Sequence, residues 1–146
     1  MSNSVRFMPE GYRTVSPYLV VRDVSGLIDF LKQVFEAEEM RRTSLPDGRI
    51  MHAEVRIGDS VVMMGEGGEN QPTMQSMLHV YLKDTDSVYK RALAAGATSL
   101  REPVDEFYGD RTAGVQDAFG NQWWLATHIE DVSDEEMQRR AKAQAR

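Results

Sequence analysis

The chain has 146 residues, enough for one domain with a sizeable core, since a chain of about 150 residues buries roughly 70% of its unfolded surface. Its 17 Lys and Arg against 23 Asp and Glu give a net charge of −6, and no stretch combines basic with aromatic residues, so we expect no nucleic-acid partner. The lack of cysteine excludes disulfides, thiolate metal sites and cysteine nucleophiles. Neither a signal peptide nor a run of roughly 20 apolar residues is visible, so we expect a cytoplasmic protein without a membrane partner.

The first half of the chain predicts a β-α-β-β-β unit after an N-terminal arm of residues 1–15. The strand segment "SPYLVV" starts at Ser16 and ends before Asp23. Apolar residues then recur at the spacing of one helix face, namely at Val24, Leu27, Ile28, Leu31 and Phe35. Alternating patterns predict three further strands, "EEMRRTSL", "RIMHAEVRI" and "SVVMMGEG", separated by "PDG" and by the tight turn Gly58-Asp59.

The second half repeats this pattern at an offset of 61 residues. The strand "MLHVYL" begins at Met77, and a helix with Val88, Tyr89 and Ala92 on one face ends at Gly96. Three weaker strands follow, "TSLREP", "GDRTAGVQD" and "NQWWLATH". We therefore predict an α+β domain of residues 16–128 made of modules 16–67 and 77–128, followed by a helical tail of residues 129–146 that begins with a Ser133/Glu136 capping box.

This tandem unit resembles the vicinal oxygen chelate superfamily, which includes glyoxalase I, bleomycin-resistance proteins and extradiol dioxygenases. The resemblance is carried by "PYLVVRDVSGLIDFLKQVF" and "DAFGNQWWLATH", and "PDGRIMHAEVRIGDS", "YGDR" and "DAFGNQWW" resemble its PhnB-like branch. It covers about residues 14–130. It implies that the two modules form a concave mixed sheet around a cleft, and that the protein is a homodimer.

In the metal-dependent members of that superfamily, as the resemblance implies, four side chains from the first and last strands of each half hold one divalent ion. The corresponding positions here are Ser16, Met63, Met77 and Trp124. None of these is a usual ligand for such an ion, which prefers carboxylate, imidazole or thiolate. We therefore expect no metal and no cofactor.

Trp123 and Trp124 are adjacent in a predicted strand, so their side chains must point to opposite faces. We predict that Trp123 packs in the helix-side core and that Trp124 faces the cleft with Met63 and Met77, where they form a soft apolar floor for an organic ligand. The alternative is that these three side chains only fill the former metal site as core. Tyr18 is predicted on the same side and completes this part of the ligand site.

Three polar side chains are candidates for acid-base chemistry. His52 and Glu54 are two residues apart on one strand face, where the carboxylate could tune the imidazole. Strand parity places His79 in the cleft as well, as a third candidate and a ligand contact. The alternatives are a solvated ion pair for His52 and Glu54, and a hydrogen-bonded interior histidine for His79.

Tyr108 and Arg111 follow a predicted turn near the mouth of the second module. A phenol and a guanidinium there could close over an anionic or aromatic ligand. Asp110 could instead hold Arg111 in a structural ion pair.

These patterns leave several function classes open. The first is a binding protein that holds an aromatic or heterocyclic ligand in a metal-free cleft. The alternative is a metal-free lyase or isomerase that uses His52, Glu54 or His79 as acid-base groups. A metal-dependent lyase or dioxygenase is disfavoured by the four positions above, and a regulatory or assembly module without a small ligand is the fourth class.

Overall fold

The computed structural model describes residues 4–144. The chain forms two compact units, and the boundary between them lies between Gln75 and Ser76. Each unit contains one β-α-β-β-β module, so the predicted α+β repeat is confirmed. The first residues of the predicted arm, 1–3, and the last residues of the predicted tail, 145–146, lie outside the described residues.

The first module forms a four-stranded sheet with one helix on it. Its elements are β1 (Tyr18–Val21), α1 (Val24–Phe35), β2 (Glu38–Ser44), β3 (Ile50–Ile57) and β4 (Ser60–Glu66). The strand order is β1-β4-β3-β2, with β1 parallel to β4 and the other pairs antiparallel. Helix α1 begins where the Asp23 carboxylate accepts a hydrogen bond from Gly26 N at 3.0 Å, a standard N-cap.

The second module has the same order of elements. They are β5 (Met77–Tyr81), α2 (Thr85–Ala94), β6 (Thr98–Asp105), β7 (Asp110–Gln116) and β8 (Gln122–His128). The strand order is β5-β8-β7-β6, with β5 parallel to β8. Asp84 caps α2 through Ser87 N at 3.2 Å, and Gly96 takes the positive φ of 100° that favours glycine after a helix.

The core of each module lies between its sheet and its helix. In the first module the apolar stripe of α1 is buried, and Leu27, Ile28 and Leu31 have no exposed surface. In the second, Trp123 is 1% exposed and Leu125 is fully buried. We call the opposite side of each sheet, away from its helix, the distal face.

A third helix, α3 (Asp134–Gln144), forms the tail of the second unit. Ser133 Oγ accepts a hydrogen bond from Glu136 N at 3.1 Å, whereas the Glu136 carboxylate bonds to Arg139 and Arg140. Arg140 also donates to the Phe107 carbonyl at 3.0 Å, and so fastens the helix to the module. Among residues 4–144, no helix has the length and apolar character needed to cross a membrane.

Candidate functional site

The distal face of the first module carries a buried carboxylate. Glu54 lies in β3 opposite Met63 of β4, and its side chain is only 6% exposed. The register places Tyr18 of β1 beside Met63, so the three predicted residues share this face. His52, two residues before Glu54, lies on it as well.

Glu54 is held by three donors. His52 Nε2 lies 2.7 Å from one carboxylate oxygen, and Arg41 Nε lies 3.6 Å from the other, which also accepts a hydrogen bond from the Tyr12 hydroxyl. Burial acts to raise the pKa of Glu54, but the bonds from His52 and Tyr12 and the charge of Arg41 outweigh it and lower the pKa below its usual value. The carboxylate is therefore ionised at neutral pH and works only as an acceptor.

Tyr12 was not predicted as a site residue. It belongs to the N-terminal arm, which is fastened to the module because Arg56 Nη1 donates to the Gly11 carbonyl at 3.3 Å. The bond to Glu54 raises the pKa of the Tyr12 hydroxyl, so this phenol keeps its proton. No periodic pattern in the arm indicates this contact, which spans 42 residues of sequence.

Tyr18 lies at the solvent-accessible end of this cluster. Its hydroxyl is 3.3 Å from His52 Nδ1, and the two ring centroids are 5.6 Å apart. A Cβ atom at Gly65 would lie 2.8 Å from the Tyr18 hydroxyl, so the phenol occupies space that only a glycine leaves free. Tyr18 is thus held against the sheet.

The distal face of the second module is aromatic and apolar. Met77 and Tyr81 on β5 are 69% and 65% exposed, and the His79 ring lies 5.0 Å from the Tyr81 ring. The β5–β8 register pairs His79 with Trp124. This face therefore brings Met77, His79 and Trp124 together, while Met63 and Tyr18 belong to the first module.

Trp124 is fixed in place by its neighbours. Its indole lies over Gly114 of β7, where a Cβ atom would come within 2.6 Å of the ring. The Arg101 guanidinium lies 5.2 Å from the ring centroid, a cation–π distance, and Trp124 Nε1 donates to Gln122 at 3.1 Å. Arg101 also pairs with Glu106 at 2.9 Å.

Arg111 points to the helix side of the second module. Its guanidinium pairs with Asp86 of α2 at 2.7 Å and with Asp105 of β6 at 2.9 Å. Its structural partners are thus these two carboxylates, whereas the alternative weighed from the sequence paired it with Asp110. Tyr108 is half-buried, and burial together with the charges of Glu106 and Asp110 raises the pKa of its hydroxyl.

Asp110 instead organises a second carboxylate cluster, which the sequence did not predict. It is 4% exposed and accepts hydrogen bonds from the Tyr81 hydroxyl at 2.9 Å and from His128 Nδ1 at 2.8 Å. His128 Nε2 lies 2.7 Å from Asp131, so both ring nitrogens face carboxylates. The bonds to Asp110 and then Asp131 raise the pKa of His128 above its usual value.

We expect the hydrogen bonds between His128 and these two carboxylates to make the stability of the protein depend on pH. The pKa of His128 is higher in the folded state than its ordinary value of about 6.5. Its contribution to the free energy of unfolding is therefore complete below about pH 6.5 and is lost as the pH rises through the folded-state pKa. The difference in melting temperature between the wild type and His128→Gln should therefore be larger at pH 5.5 than at pH 8.5. A difference that stays constant over this range would contradict the expectation.

The residues at the four family metal positions do not fit a divalent ion. A methionine thioether is a weak, soft ligand, and a tryptophan indole N–H only donates. Trp124 Nε1 is moreover occupied by Gln122. Within residues 4–144, no group of three or more His, Cys, Asp or Glu side chains is arranged to hold a metal ion.

A cavity of about 710 Å³ opens at the end of the first sheet where β2 and β4 finish and β3 begins. Two of its charged lining residues have structural partners: Glu66 accepts hydrogen bonds from Val24 N and Ile50 N at 3.0 Å, and Arg49 pairs with Asp47 at 2.9 Å. The cavity contains none of the predicted site residues. It is lined by Leu45, Arg49, Met51, Glu66, Gly68, Glu69, Asn70 and Gln71.

The profile of the Glyoxalase/Bleomycin resistance protein/Dioxygenase superfamily matches residues 13–125. The chain therefore belongs to this superfamily, as its sequence resemblance implied.

Similar proteins are found both by sequence and among solved structures. An uncharacterized protein from Mycobacterium bovis is 36% identical over 135 residues, which cover 85% of this chain and 89% of the relative. The crystal structure of TioX from Micromonospora sp. ML1 matches with a TM-score of 0.69 and 26% identity, over 80% of this chain and 99% of TioX. A PhnB protein from Bacillus cereus matches with a TM-score of 0.64 and 16% identity, over 79% of this chain and 99% of that protein.

Proposed function

We propose that the protein binds a small planar organic molecule on the distal face of its second module and needs no metal ion to do so. The observation that carries this proposal is Trp124, whose indole is fixed over Gly114 next to a cluster of exposed apolar and aromatic side chains. Large aromatic side chains in preorganised positions are the usual anchors of binding sites. Membership of a superfamily that includes bleomycin resistance proteins supports this function.

Arg101 narrows the chemical class of the ligand. Its guanidinium is next to the indole and 43% of its side chain is exposed. A planar molecule with an acidic group would gain both stacking on Trp124 and a charge-assisted hydrogen bond from Arg101. We therefore favour anionic aromatic or heterocyclic ligands.

Titration calorimetry of the wild type, Trp124→Ala and Trp124→Phe tests this proposal. The probes are bleomycin and a panel of naphthoate, quinoline and naphthoquinone compounds. For any probe that binds, we expect Trp124→Ala to weaken the affinity by roughly thirtyfold, about 2 kcal/mol, and Trp124→Phe to weaken it less.

The melting temperature of each variant controls for lost packing, since the substitution also removes the contacts of the indole with Gly114 and Arg101. A folded Trp124→Ala variant that binds a probe as tightly as the wild type would show that the ligand lies elsewhere.

A second candidate function is a metal-free lyase or isomerase. The 2.7 Å contact between His52 and the buried Glu54 supports it, because a buried carboxylate behind an imidazole is a common acid-base arrangement. His79 belongs to the second module, where its ring contacts Tyr81. We therefore assign this candidate chemistry to His52 and Glu54 of the first module.

We also propose that the protein belongs to the PhnB-like branch and acts as a cytoplasmic homodimer. The fold shared with the Bacillus cereus PhnB protein supports the branch, and the resemblance to the superfamily supports the dimer. Light scattering coupled to size-exclusion chromatography would test the dimer, since a monomer of 16.5 kDa at micromolar concentration would contradict it.

A further inference from the structure

The cluster in the first module has a defined order of protons. Glu54 is ionised and accepts from His52, so the proton of the neutral imidazole is on Nε2. Nδ1 then carries no proton, and its lone pair is directed at the Tyr18 hydroxyl 3.3 Å away. In this contact the Tyr18 hydroxyl is therefore the donor and Nδ1 the acceptor. The hydrogen-bond pattern is therefore Tyr18 to His52 to Glu54.

Exposure increases along this chain of groups. The side chain of Glu54 is 6% exposed and that of His52 is 27% exposed, whereas Tyr18 as a whole residue is 44% exposed. A molecule that arrives from solvent on this face meets the phenol before the imidazole. Gly65 leaves the space in which the phenol lies, so Tyr18 is also preorganised.

We propose that Tyr18 is the group that exchanges a proton with a bound molecule, and that His52 and Glu54 form a relay behind it. This inference rests on the proposed lyase or isomerase function of His52 and Glu54, and it adds the residue that faces the substrate. The substrate class is a small carbonyl compound with an acidic hydrogen next to the carbonyl. On such a substrate, the relay acts first as the general base and then as the general acid.

The proton balance of the step is complete without a co-reactant. A proton leaves the substrate carbon for the Tyr18 oxygen, while the Tyr18 proton passes to His52 Nδ1. The resulting imidazolium donates from both nitrogens and is stabilised by the Glu54 carboxylate. Return of the proton to a different substrate atom completes an isomerisation, and nothing is oxidised or reduced.

Tyr81 provides an internal comparison within the same chain. It is more exposed than Tyr18, at 65%, but its hydroxyl donates to the Asp110 carboxylate at 2.9 Å. That bond raises the pKa of Tyr81, which makes its phenolate harder to form. Exposure alone therefore predicts that Tyr81 is the more reactive phenol, and the relay predicts that Tyr18 is.

Acetylation by N-acetylimidazole distinguishes these two predictions without a substrate. In this reaction the phenol oxygen bonds to the acetyl carbon, and the bond from that carbon to imidazole nitrogen breaks. The phenol proton passes to a base, which is His52 at Tyr18, and the released imidazole takes a proton from water, so one proton is lost and one is gained. Peptide mass spectrometry over time measures the rate at each tyrosine. We expect Tyr18 to react at least about tenfold faster than Tyr81, since a positioned base contributes roughly 100-fold or more.

Variants of the relay give the decisive comparison. In His52→Phe, which keeps a flat ring beside Tyr18 but no acceptor, the rate at Tyr18 should fall about tenfold while the rate at Tyr81 stays unchanged. Glu54→Gln should lower the Tyr18 rate by a smaller factor. His128→Gln is the matched control, because it likewise removes a histidine beside a buried carboxylate but does so in the second module, so its Tyr18 rate should equal that of the wild type.

Two outcomes would overturn the relay: equal rates at Tyr18 and Tyr81 in the wild type, or a Tyr18 rate that His52→Phe leaves unchanged. His52→Gln replaces His52→Phe if circular dichroism shows that the latter is unfolded. Loss of the relay in this test leaves the binding function untouched. Conversely, a failure of the Trp124 titrations leaves the acetylation result untouched, so the two proposals fail separately.

Discussion

Replacement of Asp117 by alanine is expected to lower the free energy of unfolding by about 3–5 kcal/mol. Its carboxylate joins four donors in the turn between β7 and β8: Phe119 N at 2.8 Å, Asn121 N and Asn121 Nδ2 at 3.0 Å, and Trp123 Nε1 at 2.9 Å. Asp117 is 5% exposed, Asn121 is fully buried and Trp123 is 1% exposed. Because these donors lie away from water, each lost bond costs more than it would at the surface.

Urea unfolding followed by circular dichroism would measure this loss. Asp59→Ala is the matched control, since Asp59 occupies the corresponding turn of the first module but its side chain is 81% exposed and meets only Arg13 at 3.5 Å among the ion pairs of the described chain. We expect that variant to remain within about 0.5 kcal/mol of the wild type. Similar losses of unfolding free energy in both variants would show that the buried network around Asp117 stabilises the protein no more than the exposed turn does.

Replacement of Gly114 by alanine is expected to cost about 2–3 kcal/mol of unfolding free energy and to displace the proposed ligand anchor. The added Cβ would lie 2.6–2.8 Å from three atoms of the Trp124 ring, closer than such contacts allow. The indole is rigid and adjoins Arg101, so it must move as a whole. Stability and ligand affinity should therefore fall together.

Near-ultraviolet circular dichroism would report the movement of the indole, and urea unfolding the loss of stability. Gly68→Ala is a suitable control, because its Cβ would meet only the flexible end of Arg49, at 3.2 Å. That variant should change stability by less than about 0.5 kcal/mol. An unchanged near-ultraviolet spectrum and unchanged stability in Gly114→Ala would mean that Trp124 is not fixed over Gly114.

The two modules and their core faces were predictable from the sequence because they depend on local periodicity. The helix spacing from Val24 to Phe35 matches α1 to the residue, since a stripe with a 3.6-residue period can bury one helix face and no strand face. The glycine turns at Gly58 and Gly120 separate the closing strands, as predicted, and both have positive φ. Alternation likewise places Trp123 in the core and Trp124 on the other face.

The partners of the charged groups were not predictable in the same way, because they come from distant parts of the chain. Tyr12 and Glu54 are 42 residues apart, and Arg111 meets Asp86 across 25 residues. Alternation assigns a side chain to a face but does not say which residue lies opposite it. For Asp110 and Arg111, neighbours in sequence, the strand itself sends the two side chains to opposite faces and so to different partners.

Sequence by itself determined the repeated modules, the helix-side cores and the residues available for a site, because hydrophobic periodicity acts through near neighbours. Only the tertiary structure decided which arginines reach the distal faces. In β2 the register shifts between Glu39 and Arg41, which places Arg41 opposite Glu54, and in β6 a shift between Ser99 and Arg101 places Arg101 opposite Gly114. One extra residue in a strand moves every following side chain to the other face, and that insertion depends on how neighbouring strands pair.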